Sequence, residues 1–330
     1  MNWNKARLHF LANILLALLK SKTVNLSELA NTCSGTAGKE SKYRRIQRFL
    51  ANYPFCFDTI AFLIGGWLPK GQWVLSLDRT NWKFGQTNIN FLVLGVVHGG
   101  TAAVPLLWML LTKKGNSNTT ERIRLMTRFI KLFGVQRIAS LTADREFVGE
   151  QWLTWLLEQR IPFHLRIKKN TVFTNAQGEK QPIGTAFIDW PVGTKKRLRN
   201  IVIWGCSVHV EGMRLDGDYL IVVSTATSGI IKAYQKRWSI ETLFGNLKRR
   251  GFHLEDTHLT KPERLSKLFA LLSVLLCRPN GAVATSVRAQ NPVQKDLAAS
   301  LEKHFSTGIR PPPIAVSQSS GKLENDSQTP

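Results

Sequence analysis

The sequence predicts a mixed α/β fold with an α-helical N-terminal region and a β-rich insertion. Three observations carry that expectation. The first 70 residues read as amphipathic helical segments. From Gly71 onward, short apolar runs bounded by turn residues alternate with helical periodicity, the pattern of a sheet with packed helices. Between Ile161 and Leu215 this rhythm gives way to alternating apolar and cationic residues.

The N-terminal stretch "MNWNKARLHFLANILLALLK" places basic residues before an apolar run, as an export signal would. It lacks a small-residue cleavage pattern, is closed by Lys20 and Lys22, and is too short to span a bilayer. A core helix and a cytoplasmic, nucleoid-associated protein are expected. "NLSELANTC", capped by Asn25 or Ser27, and the basic "KESKYRRIQRFLANY" follow as shorter helices. Short helices ending in a basic one fit a helix-turn-helix reader of DNA, and equally a plain helical bundle.

"WVLSLDRT" is an apolar strand that ends at Asp78, and "INFLVLGVVHGG" and "AAVPLLWMLL" are two more, turning at Gly99-Gly100. "NTTERIRLMTRFIKLFG" is a helix with Asn118 or Thr119 as cap and Gly134 as stop. "QRIASLTADREF" is a strand ending at Asp144, and "GEQWLTWLLEQR" a helix. "FHLRIKK", "RLRNIVIWGCSVHV" and "GMRL" make up the β insertion, about 161–215. "YLIVVSTAT" returns as a core strand and leads into a long helix, "YQKRWSIETLFGNLKRRGF". The domains expected are thus 1–70 (helical, DNA-binding), 71–277 (catalytic core) and 278–330, a Pro- and Ser-rich tail expected to be disordered.

Charge narrows the function. Lys and Arg number 45 against 22 acids, giving +23 and a pI near 10.3. An excess of this size implies a polyanionic partner, with nucleic acid foremost. The four cysteines are dispersed with no CxxC pair, so neither a disulfide framework nor a zinc knuckle is indicated.

Against that background the long helix keeps a carboxylate, Glu241. With Tyr234 at zero, Arg237 falls at ~300°, Glu241 at ~340° and Lys248 at ~320° on a helical wheel. The stripe they form flanks the apolar face of Ile240, Leu243, Phe244 and Leu247 rather than opposing it. A simple Arg237–Glu241 pair would stabilise the helix by only a few tenths of a kcal/mol, ~0.2–0.5. Asp78 and Asp144, each at the end of an apolar strand, add two more acids at one sheet edge. Three carboxylates in so basic a chain point to a cation site. Phosphodiester chemistry needs an activated hydroxyl and a stabilised leaving oxygen, which two Mg²⁺ ions can supply from hard oxygen ligands. Tyr234, Arg237 and Lys248 are suited to phosphate contacts.

The spacing Tyr234-x2-Arg237-x3-Glu241-x6-Lys248 resembles the YREK signature of the DDE transposases of insertion sequence family four. "LDRTNWKFG" around Asp78 and "LTADREFVG" around Asp144 look like that family's two aspartate blocks, and the resemblance runs from about residue 1 to 277. It implies an RNase H-like core with a β-rich insertion between Asp144 and Glu241. It also implies cut-and-paste DNA transposition, often through a hairpin at the element end, by a homodimer on DNA. Asp78, Asp144 and Glu241 would be the catalytic metal ligands for two Mg²⁺ ions, for which Mn²⁺ can substitute. Tyr234, Arg237 and Lys248 would hold the terminal phosphates. A tryptophan of the insertion, Trp190 or Trp204, would stack on a base flipped out near the cut, with Trp204 taken as the DNA-binding residue. After "ERLSKLFALLSVLLC" the chain departs from the family pattern, with Pro279 and Gly281 stopping the helix at about Cys277. The readings that follow are an active transposase acting on the ends of its own element, or a DNA-binding remnant that occupies those ends without cutting.

Overall fold

The computed structural model describes residues 4–98, 102–175 and 177–277. The expected turn at Gly99-Gly100 and the tail, 278–330, lie outside these residues. Four helices open the chain: α1 (Lys5–Ser21), α2 (Leu26–Thr32), α3 (Lys39–Asn52) and α4 (Phe57–Trp67). Asn4 caps α1 by accepting from the Arg7 amide, and Asn25 caps α2 by accepting from Ser27 and Glu28. These caps satisfy amides that a helix start leaves unpaired. α1 buries Phe10, Leu11, Ile14, Leu15 and Leu18, and α3 answers with Ile46, Phe49 and Leu50.

One ten-stranded sheet follows, in the order β3-β2-β1-β4-β5-β10-β9-β8-β6-β7. β1 (Trp73–Phe84), β2 (Thr87–Val97) and β3 (Ala103–Leu110) form an antiparallel meander. β4 (Ile138–Ala143) lies parallel to β1, and β5 (Phe163–Ile167) parallel to β4. Helices α5 (Thr119–Phe133) and α6 (Glu150–Glu158) link these strands. A meander followed by two parallel strands, in the order 3-2-1-4-5, is the arrangement of an RNase H-like core. α5 begins in a capping box between Asn118 and Glu121 and stops at Gly134.

β1 differs from the expected strand. It does not end at Asp78 but runs on to Phe84, turning into β2 through Gly85, whose positive φ of 56° suits a tight two-residue turn. The polar run Arg79–Lys83 hid the extension, because β2 alone pairs with it there. The parallel ladder with β4 ends at Leu77 opposite Ala143, so Asp78 and Asp144 each stand one residue beyond it.

The segment expected as a β insertion does not form a sheet of its own. Its first strand, β5, pairs with both β4 and β10 (Tyr219–Ser224) within the core. β6 (Val172–Thr174), β7 (Lys180–Pro182), β8 (Lys195–Ile203) and β9 (Cys206–Arg214) extend the same sheet outward from β10. "RLRNIVIWGCSVHV" is a hairpin rather than one strand, turning at Trp204-Gly205, both with positive φ (49° and 75°). Phe187 lies against Gly212 of β9, where an added Cβ would meet its ring at 2.5 Å.

The long helix is also subdivided. α7 (Ile230–Tyr234) tightens into a 3₁₀ turn over Gln235–Arg237 before α8 (Trp238–Leu247). α9 (Pro262–Leu276) then packs on β3, α3 and α4, burying Leu265, Leu268, Phe269 and Leu272. Among the described residues no single helix is long and apolar enough to cross a membrane.

Candidate active site

Three elements converge where the parallel ladder ends. Asp78 projects from β1, Asp144 follows β4, and the α7–α8 helix lies across them. That helix is seated by its apolar residues: Ile240, Leu243 and Leu247 are fully buried, and Ile230, Ile231 and Tyr234 cluster on Val222.

Arg237 is the hub. Its Nη2 donates to Glu241 Oε1 at 2.7 Å, its Nη1 reaches Asp78 Oδ2 at 3.5 Å, and its Nε donates to the Tyr234 hydroxyl at 2.9 Å. Tyr234 in turn donates to Asp144 Oδ1 at 3.2 Å. One arginine and one tyrosine therefore tie all three carboxylates into a single network. Burial opposes the charge on Arg237, but Tyr234, Glu241 and Asp144 outweigh it and hold its pKa above the ordinary value. Burial pushes the Tyr234 phenol up to about 12, so it remains a proton donor at neutral pH.

The acids differ in setting. The Asp78 side chain is 18% exposed and that of Glu241 55%. Burial, reinforced by Glu146 and Asp144, pushes Asp78 up to about 7 despite the Arg79 amide and Arg237. Asp144 also has Arg166 Nη1 at 4.0 Å. Lys248 is the C-cap of α8, where it donates to the Asn81 carbonyl at 3.0 Å and pairs with Glu255 at 2.8 Å. The structure thus gathers Asp78, Asp144, Glu241, Tyr234 and Arg237, with Lys248 beside β1.

Trp204 is not brought to this site. The β8–β9 register puts Lys195 and Met213 at the end near Tyr219 and Arg166, and Ile203 and Cys206 at the opposite end. The Trp204 turn therefore lies roughly 20 Å along the strand direction from the level of Asp144, at about 3.3 Å per residue. Trp190 is on the nearer end, its carbonyl 3.4 Å from Arg214 Nη1. The residues that sequence reasoning missed lie around the network. Trp238 opens α8 directly after Arg237, one turn before Glu241, and is 55% exposed. Arg166 falls within the segment expected as the insertion, yet β5 sets it next to Asp144.

A second layer fixes the loops. Arg79 grips both Glu146 oxygens at 2.7 and 2.8 Å and also donates to Asn90, Asn116 and the Gly115 carbonyl. Buried Arg122 clamps Ser117 and the carbonyls of Glu146 and Val148. Glu211, buried in β9, accepts from Arg197 at 2.7 Å and from the Ile231 amide at 2.8 Å. It supplies from the sheet the cap that Gly229, at the start of α7, cannot provide.

A sequence model of the transposase DDE domain matches residues 69–278, more than half of the chain. The chain belongs to this family of DDE transposase domains. The matched span holds β1 to α9, so the DDE domain contains every residue of the network. Comparison with curated proteins gives no match. Among solved structures, the HTLV-2 integrase catalytic core in complex with magnesium, in a dimeric form, gives a TM-score of 0.23 at 14% identity. That alignment covers 29% of this chain and 61% of the integrase core, less than two-thirds of it. The endonuclease V of Bacillus subtilis gives 0.29 at 13% identity, over 72% and 92% of the two chains.

The donor chemistry of the DDE domain suits divalent cations. Three carboxylates offer hard oxygens, and Asp78, raised chiefly by burial and further by Glu146 and Asp144, is a carboxylate whose charged form a bound cation would favour. Among the described residues no three His, Cys, Asp or Glu side chains are drawn together tightly enough to hold a metal ion as they stand. Arg237, bonded to two of the acids, spans them instead.

Proposed function

We propose that the protein is a transposase of the YREK type, resembling insertion sequence family four, that cuts and rejoins DNA at the ends of its element. The observation that carries the reading is the Arg237–Tyr234 network joining Asp78, Asp144 and Glu241 at the end of the β1–β4 ladder. Asp78, Asp144 and Glu241 would hold Mg²⁺ or Mn²⁺. When bound, the ions polarise the scissile phosphate and stabilise the leaving oxygen.

The chain's own residues do the rest. Arg237 carries a fixed charge whose fork geometry suits phosphate oxygens. Tyr234 keeps its proton and donates a hydrogen bond. Lys248, at the helix end, places a further cation over the extension of β1. Trp238 presents an exposed aromatic face on which an unstacked base can rest. Residues 1–70 serve as a DNA-binding region, and a homodimer on paired ends is the working assembly.

The test is cleavage of labelled duplexes taken from the DNA flanking the reading frame, with purified protein and Mg²⁺, beside Glu241→Gln. Cutting that requires metal and vanishes in the variant supports the reading. Binding by both proteins with cutting by neither would leave a DNA-binding remnant in its place.

A further inference from the structure

Outside the carboxylate network, α1 and α3 border a pocket of about 400 Å³ lined by Arg7, Arg45, Arg48, Asn52, Tyr53 and Pro54. Three guanidinium groups meet there, and among the described residues none of the three forms an ion pair. The nearby basic residue that does, Arg44, is held by Glu40 outside the pocket lining. Two of the three are set in place by aromatic rings: Arg45 lies 4.2 Å from the centroid of Phe10, and Arg7 4.9 Å from that of Tyr53. Phe10 is itself buried, so the platform under Arg45 is rigid. Unneutralised cations held side by side repel one another, and an anion relieves that repulsion.

The geometry points to this pocket as an anchoring site for a backbone phosphate of duplex DNA, separate from the phosphate that is cut. This inference rests on the reading of the chain as DNA-acting, and names where a second grip lies. Guanidinium forks favour phosphate oxygens, and phosphate contacts of this kind set register without reading sequence. The pocket lies at the C-terminal end of α3, where Arg45, Arg48 and Asn52 share one helix face and Arg45 and Arg48 are exposed, so a polyanion can reach it from solvent. Its placement is also suitable. α1 runs from Arg7 to Lys22, a span of about 22 Å at 1.5 Å per residue. Beyond it, the Val24 amide bonds the Phe252 carbonyl, four residues from Lys248. The helical region that carries the pocket is thus tied directly to the loop that follows α8.

The test is fluorescence anisotropy of a labelled duplex with the full chain, in chelator so that no cutting occurs, across a salt series. Binding is then read whether or not the chain cleaves DNA, so failure of the catalytic reading and failure of this one are separable. Arg48→Gln removes an exposed cation that, among the described residues, is not stacked over a ring as Arg7 and Arg45 are. It should weaken binding roughly tenfold and flatten the log–log salt slope by about 0.9. Arg45→Gln/Arg48→Gln should do so further, and Arg48→Lys should restore most of the slope. Lys180→Gln, an equal loss of charge on the distant strand β7, is the reference. Arg48→Gln binding no worse than Lys180→Gln would overturn the proposal. So would a melting temperature that rises with inorganic phosphate or AMP in wild type but not in Arg48→Gln, with DNA binding alike in both.

Discussion

Arg237 holds two carboxylates at once, yet it leaves one of them under strain. Asp78 binds protons in the folded chain up to about pH 7, against an ordinary value of 3.8. Between these values the folded state carries more protons than the unfolded one, so this group's contribution to stability falls as pH rises. Asp78→Asn should therefore stabilise the metal-free protein at pH 8 by about 2 to 4 kcal/mol while abolishing activity. Thermal denaturation in chelator would show it, and an unchanged or lower melting temperature would refute it. His164 acts with the opposite sign. Burial, then Lys236, lowers it to about 4, and its Nδ1 pairs with Ser224 Oγ at 2.9 Å. Its contribution is present above the ordinary value of 6.5 and is lost as pH falls through about 4. A His164→Gln variant should lose less stability than wild type between pH 6.5 and 4, by up to about 3 kcal/mol in urea titrations. Side chains such as Asp78, Asp144 and Glu241 were legible because acids in a basic chain stand out. Trp238 was not, because an aromatic at the start of an amphipathic helix reads as core until its exposure is seen. The position of Trp204 was not legible either, since only strand register reveals which end of a hairpin a residue occupies. Trp238→Ala should weaken binding to frayed or single-stranded ends by ~1–3 kcal/mol, and Trp204→Ala should leave it unchanged, as a gel-shift series would record.

At the scale of elements, the helix wheel placed the right side chains together although the helix is not regular. A 3₁₀ turn advances by more than 100° per residue, and it falls between Tyr234 and Trp238 where the wheel assumed uniform winding. The stripe survives because the turn is short and the apolar residues on either side remain seated. Nothing in the local sequence marks how α7 begins, for its cap comes from β9. Glu211→Ala should remove that cap and leave the Ile231 amide buried and unpaired, a loss of about 1 to 3 kcal/mol. The same change should lower kcat more than DNA affinity, since Tyr234, Arg237 and Glu241 ride on the helix it holds. Glu211→Gln, which can still accept that bond, should recover much of the kcat. Equal losses in both variants would show that the charge, not the cap, matters.

For the whole molecule, the sequence pattern marked where strands lie, though not every boundary, and could not say whose sheet they join. A run of alternating residues looks alike in a separate domain and in an extension of the core, because periodicity reports one buried face and not a partner. The structure makes β10 the seam: it pairs with β5 on one side and β9 on the other, and its Ile221, Val222 and Val223 are fully buried. Ile167 and Tyr219 lie near each other across the β5–β10 ladder, so a short turn can join them and excise 168–218. A self-contained insertion would leave the remaining core melting much as before. A continuous sheet instead turns β10 into an open edge and strips Glu211 from α7, removing the support of the helix that carries Tyr234, Arg237 and Glu241. The excised protein should lose several kcal/mol and about 10 °C or more in melting temperature, and self-associate on size exclusion. A monodisperse product that melts within a few degrees of the full chain would show that the extension is energetically independent of the core it adjoins.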